Sequence, residues 1–418
     1  MKYTAPRGTK DILPDETSVW QGIEKTCRKL FELYNYSEIR TPVFEQTELF
    51  TRSIGQTTDI VSKEMYTFLD RKGRSLTLRP EETAPVVRAA IENNLIQKDK
   101  LTKLYYIGPM FRYERPQMGR QRQFHQAGIE VFGSDNPAID VEGISLAMQI
   151  FNRLGISNLE VDLNSVGCNK CRPEYFIRIK SFFKDKIKSM CEDCQKRFET
   201  NPLRILDCKE PNCQKFIEKA PAIKDILCPE CKTHFEKVIT GLESLKIKYK
   251  VNNRLVRGLD YYTCTAFEIV SGQLGAQNAV CGGGRYDTLV EEFGGPKTAA
   301  FGFAIGLERV VEIIKSTKSN NQPSKQAPSL YVATMGDEAE KIGFELVSKA
   351  RGAGISADMD YLRKSLKAQM KTADNEKAKY VLIIGDDEIK KNKAILKNMQ
   401  TGGQEEIAFD EALHRLTS

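Results

Sequence analysis

"FRYERPQMGRQRQFHQAGIEVFG" (Phe111–Gly133) decides how the rest of the chain is read. Residue character alternates from Lys103 to Glu114 and again from Gln123 to Phe132, and the basic loop "RPQMGRQR" joins the two runs. A two-residue period predicts strands, and here an antiparallel pair. In the second run Ala127, Ile129 and Val131 make an ordinary core face, which His125 joins as a core histidine rather than a ligand. The opposite face is unusual. Arg112, Glu114, Phe124, Gln126 and Glu130 put a guanidinium, two carboxylates, an amide and an aromatic ring together, where an exposed sheet face more often carries Lys, Thr and Ser. Ringed by Arg115, Arg120 and Arg122, this face suits a phosphate-bearing substrate that also has a cationic part. Arginine offers phosphate oxygens a rigid fork of donors, and a carboxylate such as Glu81 or Glu130 takes an ammonium or an imidazole N–H.

Upstream, Trp20, Ile23, Cys27, Leu30, Phe31 and Tyr34 recur at three- and four-residue steps, which predicts a helix; a short strand follows and stops at Pro42. "LTLRPEETAPVVRAAIENN" reads as a strand into a helix, with Pro80 and two glutamates at the helix start, where the dipole favours negative charge. Downstream, "RLVRGLDYYTCTAFEIV" resumes the β pattern, and "GFAIGLERVVEIIKS" gives a helix with Leu307, Val310, Val311 and Ile314 on its buried face. The polar, proline-bearing stretch Ser316–Pro328 reads as a linker. Beyond it "SLYVAT" and "KYVLIIG" are buried strands. They are separated by helices carrying Ile342, Leu346, Val347 and Ala350, then Leu362, Leu366, Met370 and Ala373, which implies a small, mostly parallel α/β domain.

The chain has 418 residues, more than one compact core accommodates. No apolar run reaches the length of a membrane span and the start is not signal-like, so the expectation is a cytoplasmic protein with no membrane partner. Net charge is +7, and Gly167–Gly241 contributes 16 Lys and Arg against 11 Asp and Glu, a bias that suits a polyanion or a solvated helical surface. That segment also holds eight of the 11 cysteines, paired as Cys168/Cys171, Cys191/Cys194, Cys208/Cys213 and Cys228/Cys231. In a reducing compartment such spacing suits structural zinc, in one or two sites, or reduced, partly buried thiols. Cys191, Cys194, Cys228 and Cys231 are the expected ligands. Neither a Walker loop nor a GxGxxG turn is present, so a nucleotide would be held by arginines on a sheet.

Taken together, "FRYERPQMGRQRQFHQAGIEVFG", "GFAIGLERV" and the unit ending at Pro42 resemble the three signature motifs of class II aminoacyl-tRNA synthetases. "RGTKDILPDE", "LRPEETA", "RGLDYY" and "GGGRYDTL" narrow the resemblance to the bacterial-type histidyl-tRNA synthetase family, over essentially the whole chain. The resemblance implies an α+β fold. Its catalytic domain is a six-stranded antiparallel sheet flanked by helices, in two parts, 1–166 and 242–315; an inserted helical Cys-rich domain (167–241) grips the tRNA acceptor arm; the linker 316–328 leads to a C-terminal α/β anticodon-binding domain (329–418).

It also implies a homodimer, with the unit ending at Pro42 at the subunit interface, and L-histidine, tRNA(His) and ATP with Mg2+ as substrates. Carried over, Glu81, Thr83 and Gln126 hold the histidine amino group, Glu130 and Tyr262 read its imidazole, and Tyr261 lines the same pocket. Arg112 binds the α-phosphate and the substrate carboxylate region, and Glu114 the ATP and metal region. Phe124 stacks on adenine, while Arg120 and Arg309 hold the terminal phosphate. Arg257 approaches the α-phosphate opposite Arg112, so these two arginines are the expected catalytic groups, with Asp260 either orienting Arg257 or purely structural. Arg115 and Gln117 read the extra 5′ guanosine of the tRNA. Glu82 stands where the family has a small residue, and is expected to face outward.

Two other readings compete. A synthetase-like, histidine-sensing regulatory subunit of ATP phosphoribosyltransferase would share the fold but generally lacks an intact "RGLDYY" and the anticodon-binding domain. A zinc-ribbon nucleic-acid module on a passive body leaves Arg112, Arg257 and Arg309 without a task.

Overall fold

The structure is a computed structural model. It describes every residue except 1, 2, 56, 57, 59, 118, 273–278, 318–326, 410, 413, 414 and 416–418, so most of the expected linker lies outside the described residues. The chain divides into two compact units, one of residues 1–12 with 19–321 and one of 13–18 with 322–418.

Among the described residues the larger unit is built on an eight-stranded sheet. Its strands are β1 (Ser37–Glu38), β5 (Thr102–Phe111), β6 (Gln123–Phe132), β7 (Leu159–Ser165), β8 (Tyr249–Val251), β9 (Thr263–Ser271), β10 (Ala279–Arg285) and β11 (Ala300–Gly306); β2 (Phe44–Gln46), β3 (Tyr66–Leu69) and β4 (Ser75–Leu78) form a separate small sheet. The order β1-β5-β6-β11-β10-β9-β7-β8 contains the six antiparallel strands expected, with a short parallel strand added at each edge. The β5–β6 register pairs Met110 with Phe124 and Gly108 with Gln126, so Phe124, Gln126 and Glu130 share a face as expected, whereas Arg112 and Glu114, expected on the same strand pair, lie just past the end of β5. His125 sits on the other, its ring edge-on to Trp20 at 5.1 Å and its Nδ1 3.0 Å from Glu308 Oε1.

One sheet face is covered by α1 (Pro14–Leu33) and α4 (Pro137–Arg153), whose Ile23, Cys27, Phe31, Ile144, Ile150 and Phe151 are buried with Ala127, Ile129, Phe267 and Phe301. Burying one such side chain contributes about 1.5–3 kcal/mol, which is why the apolar spacing of α1 alone fixes its docked face. Two further helices, α2 (Thr47–Ser53) and α3 (Thr83–Glu92), precede that sheet's long strands. Between β7 and β8 the chain forms α5 (Arg172–Phe183), α6 (Glu192–Thr200), α7 (Pro211–Ile217) and α8 (Pro229–Ser244), with 3-10 turns between them. A buried Arg285–Asp140 pair at 2.8 Å, with His234 Nε2 of α8 2.7 Å from Asp140, ties this segment to β10 and α4. After α9 (Leu289–Glu292), the helix α10 (Leu307–Thr317) buries the four residues its pattern predicts.

In the smaller unit β12 (Leu330–Thr334), β13 (Ala357–Met359) and β14 (Tyr380–Ile384) run parallel, whereas β15 (Lys393–Asn398) and β16 (Gln404–Ala408) add on antiparallel. Its helices include α11 (Asp337–Gly352) and α12 (Leu366–Asn375). Leu362, expected on the second helix, precedes α12 and is 73% exposed, while Leu366, Met370 and Ala373 pack inward. Asp360 accepts the Lys364 N–H at 2.7 Å in a local turn that delays the helix start.

Candidate active site

The even face of β6 carries a buried acidic cluster. Glu130 is 1% exposed, and both its oxygens are engaged: Thr83 Oγ1 donates to one at 2.8 Å and Tyr286 Oη donates to the other. Burial pushes its carboxyl well above the usual carboxylate range, against the pull of those two hydroxyls. Glu81 lies at the start of α3, where its carboxylate accepts the N–H groups of Thr83 at 2.7 Å and Ala84 at 2.9 Å. A carboxylate there satisfies otherwise orphaned helix amides and the dipole. Burial raises its pKa too, while those amides and the charge of Arg112 pull it down. Tyr261 Oη reaches Glu81 at 3.5 Å, and the Tyr261 ring lies 4.9 Å from Tyr262 and 5.7 Å from Tyr286. Gln126 adds a buried Oε1 that accepts no hydrogen bond.

Arg257 stands beside this cluster, its guanidinium carbon 5.6 Å from the Tyr262 ring centre and its Nη1 paired with Glu268 of β9. A Cβ on Gly282 would overlap the guanidinium, and one on Gly302 would overlap the Glu130 carboxylate. Glycine in β10 and β11 thus supplies room for both charged groups. Arg112 donates from Nε to the Pro80 carbonyl at 2.8 Å, and its guanidinium lies 5.2 Å from the Phe124 ring centre. Glu114 lies 3.8 Å from Arg112 Nη1 and 3.0 Å from Arg120 Nη1. Burial and the nearby Arg120 charge hold the Arg309 pKa below its ordinary value, and its Nη1 donates to the Ala279 carbonyl. Arg115 and Gln117 are exposed on the loop between β5 and β6, where Gln117 and Arg120 exchange backbone hydrogen bonds.

Glu82 is not turned to solvent as expected. It is 1% exposed, 2.9 Å from Arg79 Nη1, and accepts from Thr41 Oγ1 at 2.7 Å; burial pushes its carboxyl up to about 7. It completes an ion pair, which is why a carboxylate is tolerated next to Glu81. Removing it strands Arg79, so Glu82→Ala should lower folding stability by about 3 kcal/mol, read as a fall in the urea midpoint. Asp260 does not orient Arg257 directly: it accepts from Asn201 Nδ2 at 2.9 Å. The carboxylate paired with Arg257 is Glu268, which sequence reasoning passed over as part of an apolar strand. Tyr286 was also passed over, though it sits inside the quoted "GGGRYDTL".

Three residues of the helical segment reach the "RGLDYY" stretch. Arg172 Nη2 donates to the Tyr262 carbonyl, Asn201 to Asp260, and Arg204 Nη1 to the Arg257 carbonyl at 2.9 Å. The expected metal set, Cys191, Cys194, Cys228 and Cys231, does not come together as one group. Cys228 and Cys231 join Cys168 and Cys171, and Cys191 and Cys194 join Cys208 and Cys213; within each group the four sulfurs lie within 4.8 Å of one another. Each turn-borne pair meets the pair that the helix packing brings to it, which spacing along the chain does not reveal.

Comparison with known proteins places this geometry. The family model "Histidyl-tRNA synthetase" matches residues 8–170 and 214–310, and "Anticodon binding domain" matches 329–418. A histidine-tRNA ligase of Desulforamulus reducens is 52% identical over 98% of this chain and 98% of its own length; one of Pelotomaculum thermopropionicum is 51% identical over 100% and 98%. The crystal structure of apo S. aureus histidyl-tRNA synthetase superposes with a TM-score of 0.83 at 39% identity, covering 100% of both chains. A Bacillus halodurans structure titled as an ATP phosphoribosyltransferase regulatory subunit/histidyl-tRNA synthetase shares the fold at TM-score 0.64 and 21% identity, over 92% of this chain and 99% of that one.

Proposed function

The chain belongs to the histidyl-tRNA synthetase family, and from that premise we infer that it is the ligase its relatives are named for. It attaches L-histidine to tRNA(His) through a histidyl-adenylate, with release of AMP and diphosphate. The observation that supports this reading is the buried cluster of Glu81, Tyr261 and Tyr262 beside Arg257, with the charge of Arg112 acting on Glu81, an arrangement that suits an amino acid held between two guanidinium groups.

Glu81, Thr83 and Gln126 take the histidine ammonium; the unpartnered Gln126 Oε1 supports this, since a buried acceptor without a donor is costly. Glu130 and Tyr262 read the imidazole, with Tyr261 lining the pocket. The histidine carboxylate attacks the α-phosphorus in line and the bond to pyrophosphate breaks. Arg112 and Arg257 meet the charge that develops on the phosphoryl oxygens and need no reorganisation as it forms. Phe124, backed by Arg112, stacks on adenine, while Arg120 and Arg309 hold the terminal phosphate. Magnesium accompanies the ATP phosphates. Glu114 fits it, because its Oε2 faces Arg120 without a hydrogen bond and Mg2+ takes one or two carboxylates beside substrate phosphates. A terminal ribose hydroxyl of the tRNA then attacks the histidyl carbonyl and AMP leaves.

The domain division expected from the sequence belongs to this reading, with Arg115 and Gln117 exposed for the acceptor end and the C-terminal unit for the anticodon. Structural zinc, in the helical insert, completes its cofactors. A homodimer is supported by an apolar patch after Pro42: Val43, Phe44, Phe68 and Leu69 are 40%, 48%, 44% and 69% exposed. No described helix is long and apolar enough to cross a membrane; a cytoplasmic location belongs to the same reading, since tRNA charging serves translation there.

The anticodon-domain match and the intact "RGLDYY" favour the ligase over a regulatory subunit. The test is histidine-dependent exchange of pyrophosphate into ATP. Exchange with histidine and not with other amino acids is expected; none in folded protein would reject the reading.

A further inference from the structure

The two cysteine groups lie outside the reacting centre, yet each is joined to it through a few residues. Sulfur atoms 3.7 Å apart (Cys168/Cys171 and Cys191/Cys208) and 3.8 Å apart (Cys168/Cys228) are too distant for disulfides. They do match the edges of a thiolate tetrahedron, because Zn–S bonds of about 2.3 Å at tetrahedral angles put sulfurs about 3.8 Å apart. Each group is closed with four thiols, which leaves no coordination position for substrate. The insert also needs staples. Its apolar core is a small cluster around Tyr175, Ile179, Phe183, Ile205 and Ile217, and its α6 and α7 are only 9 and 7 residues long.

The routes to the active site are short. Cys171 is followed at once by Arg172, which donates to the Tyr262 carbonyl and, from Nε, to the Val166 carbonyl at 3.3 Å. Just past Tyr262, the Cys264 N–H donates to the Gly167 carbonyl at 2.9 Å, and the Cys264 sulfur lies 3.8 Å from that of Cys231, outside the four-thiol group. In the second group the chain between Cys194 and Cys208 carries Asn201 and Arg204, which bond Asp260 and the Arg257 carbonyl, both at 2.9 Å. All three residues come from the insert, and each has an acceptor within Arg257–Tyr262.

We propose that the insert binds two Zn2+ ions, one in each four-cysteine group, and that these ions fix Arg172, Asn201 and Arg204 so that they hold the Arg257–Tyr262 stretch in its working position. The three are positioning residues. They act on Arg257 and the tyrosines through the backbone and Asp260, and the metals act through them. The coupling rests on the function inferred above, whereas the metal sites themselves do not.

The experiment starts from full-length protein purified without chelators. Metal analysis should find two zinc equivalents per chain, and less than about half an equivalent would overturn the sites. Slow removal of zinc with a chelator should lower histidine-dependent exchange at least tenfold, with recovery when zinc is returned. Unchanged exchange after zinc has gone would overturn the coupling and leave the ligase reading intact; no exchange in zinc-replete protein would instead strike at the ligase reading. Because cysteine variants could simply fail to fold, Arg204→Ala and Asn201→Ala supply the second arm. Both should keep two zinc equivalents and an unchanged KM for ATP while kcat falls about tenfold. Wild-type kcat in both would remove the positioning role.

Discussion

Arg257→Ala should lower the rate of histidine-dependent pyrophosphate exchange by about 10²- to 10³-fold, the usual cost of removing one preorganised charge from a developing oxyanion. The guanidinium occupies a slot that Gly282 leaves open, is paired with Glu268, and lies against Tyr262, so little of it is free to rearrange. Its contribution is therefore realised in the transition state, and kcat should carry the loss. Steady-state exchange at saturating ATP and histidine measures it. A mutant changed only in KM for histidine would show that Arg257 binds the amino acid and does not act on phosphorus.

Glu81→Gln should raise the KM for histidine about ten- to a hundredfold, with the KM for ATP unchanged. The amide keeps the shape and one acceptor toward the α3 amides but loses the charge that meets an ammonium. A hydrogen bond to a charged group contributes about 1.5–3 kcal/mol, and about 1.4 kcal/mol is a tenfold change in affinity. Titrating histidine in the exchange assay decides the matter. An unchanged KM would mean that Glu81 serves only to cap α3.

The β5–β6 pair was legible because alternation is a local signal. Ala127, Ile129 and Val131 announced one face, and Gln126 and Glu130 had no reason to occupy the other unless something polar met them there. Helices α1 and α10 were legible for the same reason. Glu268 was not, since one acid inside "TCTAFEIV" looks like an edge residue until the fold brings Arg257 against it. Asn201 and Arg204 were less visible still: they lie more than fifty residues before their partners, and no periodicity links a 3-10 turn to a loop. Glu82 misled because a glutamate beside another glutamate is ordinarily pushed toward water. Arg79, three residues earlier, reverses that preference by burying with it.

The Glu130 carboxyl, sealed among Thr83, Tyr286 and the backbone of β11, has a further consequence. Burial raises the ionisation of that acid, while the two hydroxyls that donate to its oxygens pull it back down. An imidazole N–H arriving from the amino acid adds another donor to the charged form, so capture should favour a site that has given up its hydrogen ion. Capture should therefore grow weaker in acidic media, and its calorimetric heat, compared in Tris and in phosphate, measures any hydrogen ion released.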